Sequence, residues 1–216
     1  MNINYKQLII VLFLSFLSIN TFADSPITST NFGKAYLNHA IVAKAAKSNG
    51  ILTKPMLEYL AKESNPIEIK LALINQLGWS IKGKNNGKRY FNYLTKTRNY
   101  KSEGDLLENC NGDEIVSLAY LYAMDNYFEV SNAIQYAEVG VFKNPGNYSA
   151  HIIRGLIYAQ EKLNIGEWCE VYYSTDRVRN DPEVLYKDLS EDAIDIIFEY
   201  MDIYKKSCKN ITLLRI

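Results

Sequence analysis

From residue 32 onward the apolar side chains of this chain recur at three- and four-residue intervals, in runs ended by Asn, Gly or Pro. That spacing places them on one face of a helix. Ile115, Val116, Leu118, Ala119, Leu121 and Tyr122 form one such face, and Val130, Ala133, Ile134, Ala137 and Val141 form the next. No segment alternates with a period of two between hairpin turns, which is the signature of a half-buried strand. A helix with one apolar face must bury it against another helix. The fold class expected is therefore all-α, with about nine helices in antiparallel pairs. They would stack as a short, irregular α-solenoid or as a helical bundle.

Local signals place the elements. Residues 24–31 are a polar lead-in with frayed character, and a helix is expected over 32–47 through Ala35, Tyr36, His39, Ala40, Val42, Ala43 and Ala46. A short helix follows over 54–63. Asn65, Pro66 and Glu68 read as a cap, a first helical residue and a side chain reaching back to the cap. The helix they open ends near Gly78, and a Gly83–Gly87 loop leads into another carrying Tyr90, Phe91, Tyr93 and Leu94. Residues 99–112 are polar and aperiodic, the natural place for an internal joint. Asn111 with Glu114 repeats the cap signal. Asn144-Pro145-Gly146, Asn164-Ile165-Gly166 and Asn180-Asp181-Pro182 stop later helices, and the last one starts at Ser190.

The amino terminus reads differently. Lys6 precedes an apolar run from Leu8 to Ile19 of about a dozen residues, where a spanning helix needs roughly 20. Thr21-Phe22-Ala23 then suits signal peptidase, so residues 1–23 are expected to be a signal peptide and 24–216 a single helical domain; a retained anchor is the alternative. No Cys stands at the cleavage point for lipidation, and no later segment has the length and apolarity of a membrane span. A periplasmic or secreted chain meets oxidising conditions, which bear on Cys110, Cys169 and Cys208. Cys169 with Cys208 is the expected disulfide, because it would pin the last helix to its predecessor. Three free thiols are the other possibility, since spacing does not fix connectivity.

Pro145 and Pro182 lie 37 residues apart, each after a helix pair. Tetratricopeptide units repeat at roughly 34 residues. Ala119, Tyr122, Ala133, Ala137 and Pro145 in one unit, and Gly155, Tyr158 and Pro182 in the next, stand where that pattern has small, aromatic and closing proline residues. Residues 113–182 thus resemble a degenerate tetratricopeptide or Sel1-type array, and 66–97 a further diverged unit. The turn from Asp125 to Glu129 is too long for the pattern, Glu170 replaces a packing Ala, and the leading Trp is missing. The resemblance implies a scaffold that holds a protein or peptide in a groove; accidental spacing in an irregular bundle is the competing account.

The formal net charge is zero, yet it is segregated. Between residues 66 and 101 Lys70, Lys82, Lys84, Lys88, Arg89, Lys96, Arg98 and Lys101 face Glu68 alone. Between 102 and 142 Glu103, Asp105, Glu108, Asp113, Glu114, Asp125, Glu129 and Glu138 stand with no base. Such blocks either satisfy each other within the fold or steer a charged partner. The candidate partner surfaces are Lys82, Lys84, Lys88 and Arg89 on one side and Glu103, Asp105 and Glu108 on the other. The Gly83–Gly87 loop lacks the strand and the Lys-Ser/Thr ending of a phosphate loop, so a surface turn is the better reading.

Catalytic chemistry finds little purchase. His39 and His151 each lie in an apolar helical pattern, and no HExxH or GxSxG motif is present. Glu191, Asp192, Asp195, Glu199 and Asp202 follow one outer helical face, which solvent exposure explains. No cofactor, metal or nucleic-acid partner is expected. The first expectation is an exported helical-repeat protein that binds a protein or peptide in the cell envelope. The alternatives are a periplasmic immunity protein that neutralises a secreted toxin, and a cell-wall or polysaccharide enzyme of unrecognised type.

Overall fold

The structure, a computed structural model, describes residues 25–208 apart from 81 and 185. Residues 1–23, the expected signal peptide, lie outside the described residues. Eleven α-helices are present among the described residues: α1 (Pro26–Ser29), α2 (Ala40–Ala46), α3 (Lys54–Leu60), α4 (Ile67–Leu77), α5 (Asn86–Arg98), α6 (Glu103–Asn109), α7 (Gly112–Asp125), α8 (Ser131–Lys143), α9 (Tyr148–Asn164), α10 (Trp168–Arg179) and α11 (Glu191–Met201). Two 3₁₀ turns, Phe32–Tyr36 and Asp202–Cys208, join them. The all-α expectation holds among these residues; the only pairing of extended backbone is an isolated bridge between Asn147 and Tyr186. None of the helices is long and apolar enough to cross a membrane.

Helices α7 to α10 follow the sequence signals closely. Asn111 caps α7 in a capping box: its side chain accepts from the Glu114 amide, and the Glu114 carboxylate accepts from the Asn111 amide. Short turns fold α8 back on α7 and α10 back on α9, and α9 lies against both α7 and α8. Neighbouring pairs therefore stack, a packing compatible with a helical-repeat fold. Gly155 lets α9 and α10 approach closely, because a Cβ there would stand 2.6 Å from the Ser174 carbonyl oxygen. His151 donates from Nε2 to the Pro145 carbonyl at 2.8 Å, tying the turn before α9 to its first residues.

The amino-terminal half departs from the sequence reading in five places. The helix expected over 32–47 is broken: a 3₁₀ turn ends at Tyr36, and α2 starts after His39, which is exposed. Pro66, not Asn65, is the residue before α4; Asn65 turns its amide to the Tyr59 carbonyl instead. Helices α4 and α5 do not form a hairpin. The main partners of α4 are α2 and the first 3₁₀ turn, and α5 packs on α7. The aperiodic stretch 99–112 contains α6, capped by Ser102, with Leu106 and Cys110 in the same core as the other helices.

The largest departure is residues 25–36. Far from frayed, they lie across α4, α7 and α9 and beneath α11, with Ile27 and Phe32 wholly buried. Ser25 donates from its hydroxyl to Gln160 of α9. Asn75 of α4 accepts from the Gly33 amide at 2.9 Å and donates to the Thr30 carbonyl and the Tyr120 hydroxyl, each at 2.9 Å. Gln76 donates to the Asn31 side-chain oxygen at 2.5 Å, and the Tyr36 hydroxyl accepts from the Ser190 amide at 2.7 Å. The segment thus fills the side of the stack formed by the first helix of each pair, and it meets α11 near the other end of the described residues.

Cys169 and Cys208 are at disulfide distance, with Cα atoms 4.8 Å apart, which ties the start of α10 to the last 3₁₀ turn. Cys110 is the free, buried cysteine. Its burial, with Glu114 beside it, pushes the thiol up to about 12, so it remains protonated at neutral pH.

Candidate partner-binding surfaces

The loop before α5 carries the basic cluster, and its shape comes from the acid opposite. The Asp125 carboxylate, at the end of α7, accepts from the Lys84 amide at 3.2 Å and from the Gly87 amide at 2.8 Å. A negative charge there also favours the amino end of α5. Asn86, buried, accepts from the Leu52 amide and donates to the Gly50 carbonyl. The Gly83, Lys84 and Gly87 amides of the loop are therefore already engaged within the fold. Lys82, Lys88 and Arg89 are exposed and Lys84 half-exposed, and among the described residues none of the four forms an ion pair. Lys88 lies over the Phe91 ring, 4.9 Å from its centroid.

The same end of the molecule carries exposed apolar side chains. Trp79, half-buried, meets Tyr127 edge-on with centroids 5.2 Å apart, and Tyr127 packs on Phe128, which is 61% exposed. Asn164 donates to the carbonyls of Tyr127 and Phe128, bringing the α9–α10 turn and its exposed Ile165 alongside. The basic loop is tied to Asp125 at the end of α7, the aromatic turn follows directly at 127–128, and Asn164 brings Ile165 to that turn.

The acidic candidates lie elsewhere and are largely occupied by the fold. Glu103 and Asp105 stand in the first turn of α6, where the helix dipole favours carboxylates. Tyr136 donates its hydroxyl to Glu103, and Asp105 accepts from the Lys101 amide and the Asn109 side chain. Glu108 is exposed, while its carbonyl accepts from Lys143. Part of the charge segregation is settled internally as well. Lys70, fully buried, sits 3.5 Å from Asp113, and Arg98 bonds the buried Glu114 at 2.9 Å. Lys70 of the basic block is a core residue that meets an acid of the other block within the fold.

Two further features were open at the sequence level. The acids of α11 do face solvent at Glu191, Asp192, Asp195 and Glu199, and Asp202 pairs with Arg179. Among the described residues no group of three metal-ligating side chains is close enough to hold an ion. A groove of about 370 Å³ runs over α9, floored by Arg154, Tyr158 and Lys162 and walled by Glu138, Glu170 and Arg177. Its charges are paired across it, Arg154 with Glu138 and Arg177 with Glu170.

Sequence reasoning missed the exposed Phe128 and Ile165, because single apolar residues in turns are common and carry no periodic signal. It also missed that the first-helix side is filled by residues 25–36. No protein-family model, curated protein or solved structure matches the chain.

Proposed function

We propose that the protein is an exported helical module, periplasmic or secreted, that binds an acidic protein or peptide partner through the basic end of its stack. In this reading α7–α8 and α9–α10 are two units of a degenerate tetratricopeptide or Sel1-type array. The observation that carries the proposal is the cluster Lys82, Lys84, Lys88 and Arg89, without ion-pair partners among the described residues, at a loop held by Asp125 at the end of α7, the end that also carries the exposed Phe128 and Ile165. Cations at the rim raise the rate of encounter with an acidic surface, and apolar side chains that lose water hold the complex. The Cys169–Cys208 pair supports an oxidising destination. Residues 25–36 support docking at this end, because they occupy the side where stacked pairs would otherwise offer a groove.

The experiment is affinity capture from cell-envelope extract with the mature chain, in parallel with a Lys84→Glu, Lys88→Glu, Arg89→Glu variant and a Glu103→Lys, Glu108→Lys variant. Reversal of the basic cluster removes the acidic partner, and reversal of the two acids leaves it bound. Identical partners for all three proteins would overturn the reading.

A further inference from the structure

A second surface, at the disulfide end, has a different chemistry. Trp168 opens α10 and is 51% exposed, although a tryptophan is costly to leave in water. Its ring stacks on Tyr204 with centroids 6.3 Å apart and planes 14° from parallel. Tyr204 in turn meets Tyr200 edge-on, and their hydroxyls are 2.8 Å apart. The neighbouring Cys169 is joined to Cys208, so the indole and the segment around Ser207 are held on one rigid support. Beside the indole lies a cavity of about 320 Å³ lined by Gly166, Glu167, Trp168, Cys169, Glu170 and Ser207.

The charges of this cavity are balanced. Glu167 pairs with Lys162 at 3.2 Å, and Glu170 pairs with Arg177 at 2.9 Å. Free carboxylates would add to the pull of the ring on a cation, and the pairing with Lys162 and Arg177 cancels that contribution. What the two carboxylates keep is lone-pair capacity, since each accepts more bonds than one partner supplies. They call for neutral donors. A flat aromatic face flanked by carboxylate acceptors and a hydroxyl suits a ring with apolar C–H groups on its faces and hydroxyls at its edge.

We propose that the cavity beside Trp168 binds a neutral saccharide, stacked on the indole and hydrogen-bonded by Glu167, Glu170 and Ser207. The site is independent of the basic end and of the protein-partner reading.

The test uses the full disulfide-bonded chain with Trp79→Phe, which leaves Trp168 as the sole tryptophan of the two in the sequence. Chitotriose, cellotriose and maltotriose are titrated while its fluorescence is followed. At least one gives a saturable change whose midpoint does not move with salt, because the ligand is uncharged. Calorimetry then compares Trp168→Ala, which weakens that glycan about tenfold, with Trp168→Phe, which retains part of the stacking. The side chain is half exposed, and unchanged circular dichroism confirms that the variants fold. No saturable response to any of the three glycans overturns the proposal. So does undiminished binding by Trp168→Ala, or a salt-sensitive response to a lysine-rich peptide with none to glycans, which would make the cavity a cation site.

Discussion

Residues 112–180 and residues 25–98 are both helical, and they are organised in opposite ways. In the first region each helix packs on its neighbour in sequence: α7 on α8, α9 on α10, and α9 on the preceding pair. In the second, partners lie far apart along the chain. Ser25 bonds Gln160 across 135 residues, and Tyr36 meets Ser190 across 154. The contrast teaches that a repeat-like stack is defined by local signals, while the segment that closes it is defined only by the surface it meets. Closing such long loops costs chain entropy, so these contacts must bury enough to offset it. Ile27, Phe32 and Tyr36 provide that burial.

The largest expected effect comes from the residue that ties the two regions. Asn75→Ala removes bonds to Gly33, Thr30 and Tyr120 and leaves buried groups unpaired, a loss of about 3 kcal/mol. Urea denaturation measures it, and hydrogen exchange should show residues 27–36 loosening while α7–α10 stay protected. If α7–α10 loosened equally, the two regions would be one cooperative unit and the comparison would fail. Converting Cys169 and Cys208 to serine is expected to cost about 3 kcal/mol, within the range of about 2–4 kcal/mol typical of one disulfide. Its loosening should begin at the opposite end, in α10 and 202–208.

Smaller effects sharpen the description of the stack. Asn111→Ala removes the cap of α7 and one half of the capping box, costing about 1 kcal/mol in thermal or chemical unfolding. His151 supplies a pH test. Burial holds its imidazole below the ordinary value, opposed by the bond to the Pro145 carbonyl and reinforced by Arg154, with Glu138 and Asp181 also acting on it. The folded state therefore resists charging a group that the unfolded chain charges near pH 6.5. Stability is fully present above that pH and falls as pH drops through it. His151→Gln should flatten this slope; an unchanged slope would place the titration elsewhere.

How far the sequence went follows the same division. The cap at Asn111, the stops at Asn144 and Gly166, the start at Ser190 and the Cys169–Cys208 pair were all legible, because each depends on residues a few positions apart or on few candidates. Residues 25–36 were not, because Ser, Pro and Thr in a row read as loop, and nothing local indicates burial. The basic cluster was legible as charge, although not which members reach solvent. Lys70 is buried against Asp113 at the start of α7 and the Lys84 amide bonds Asp125 at its end, and both facts depend on how α7 is placed against α4 and α5. The acids of α6 were legible as charge and not as groups bonded within the fold, since the tyrosine that binds Glu103 comes from α8.

Preferring the basic end to the first-helix side as the docking surface depends on residues 25–36 filling that side of the stack. The most direct measurement introduces a protease site at Leu37–His39, where the chain is exposed, and cuts the folded, disulfide-bonded protein there. The account predicts that the cut segment stays bound through gel filtration and that the Gly33 amide keeps its slow exchange. Release of the segment from a remainder that keeps its own protection would contradict it, and would open that side of the stack to a partner instead.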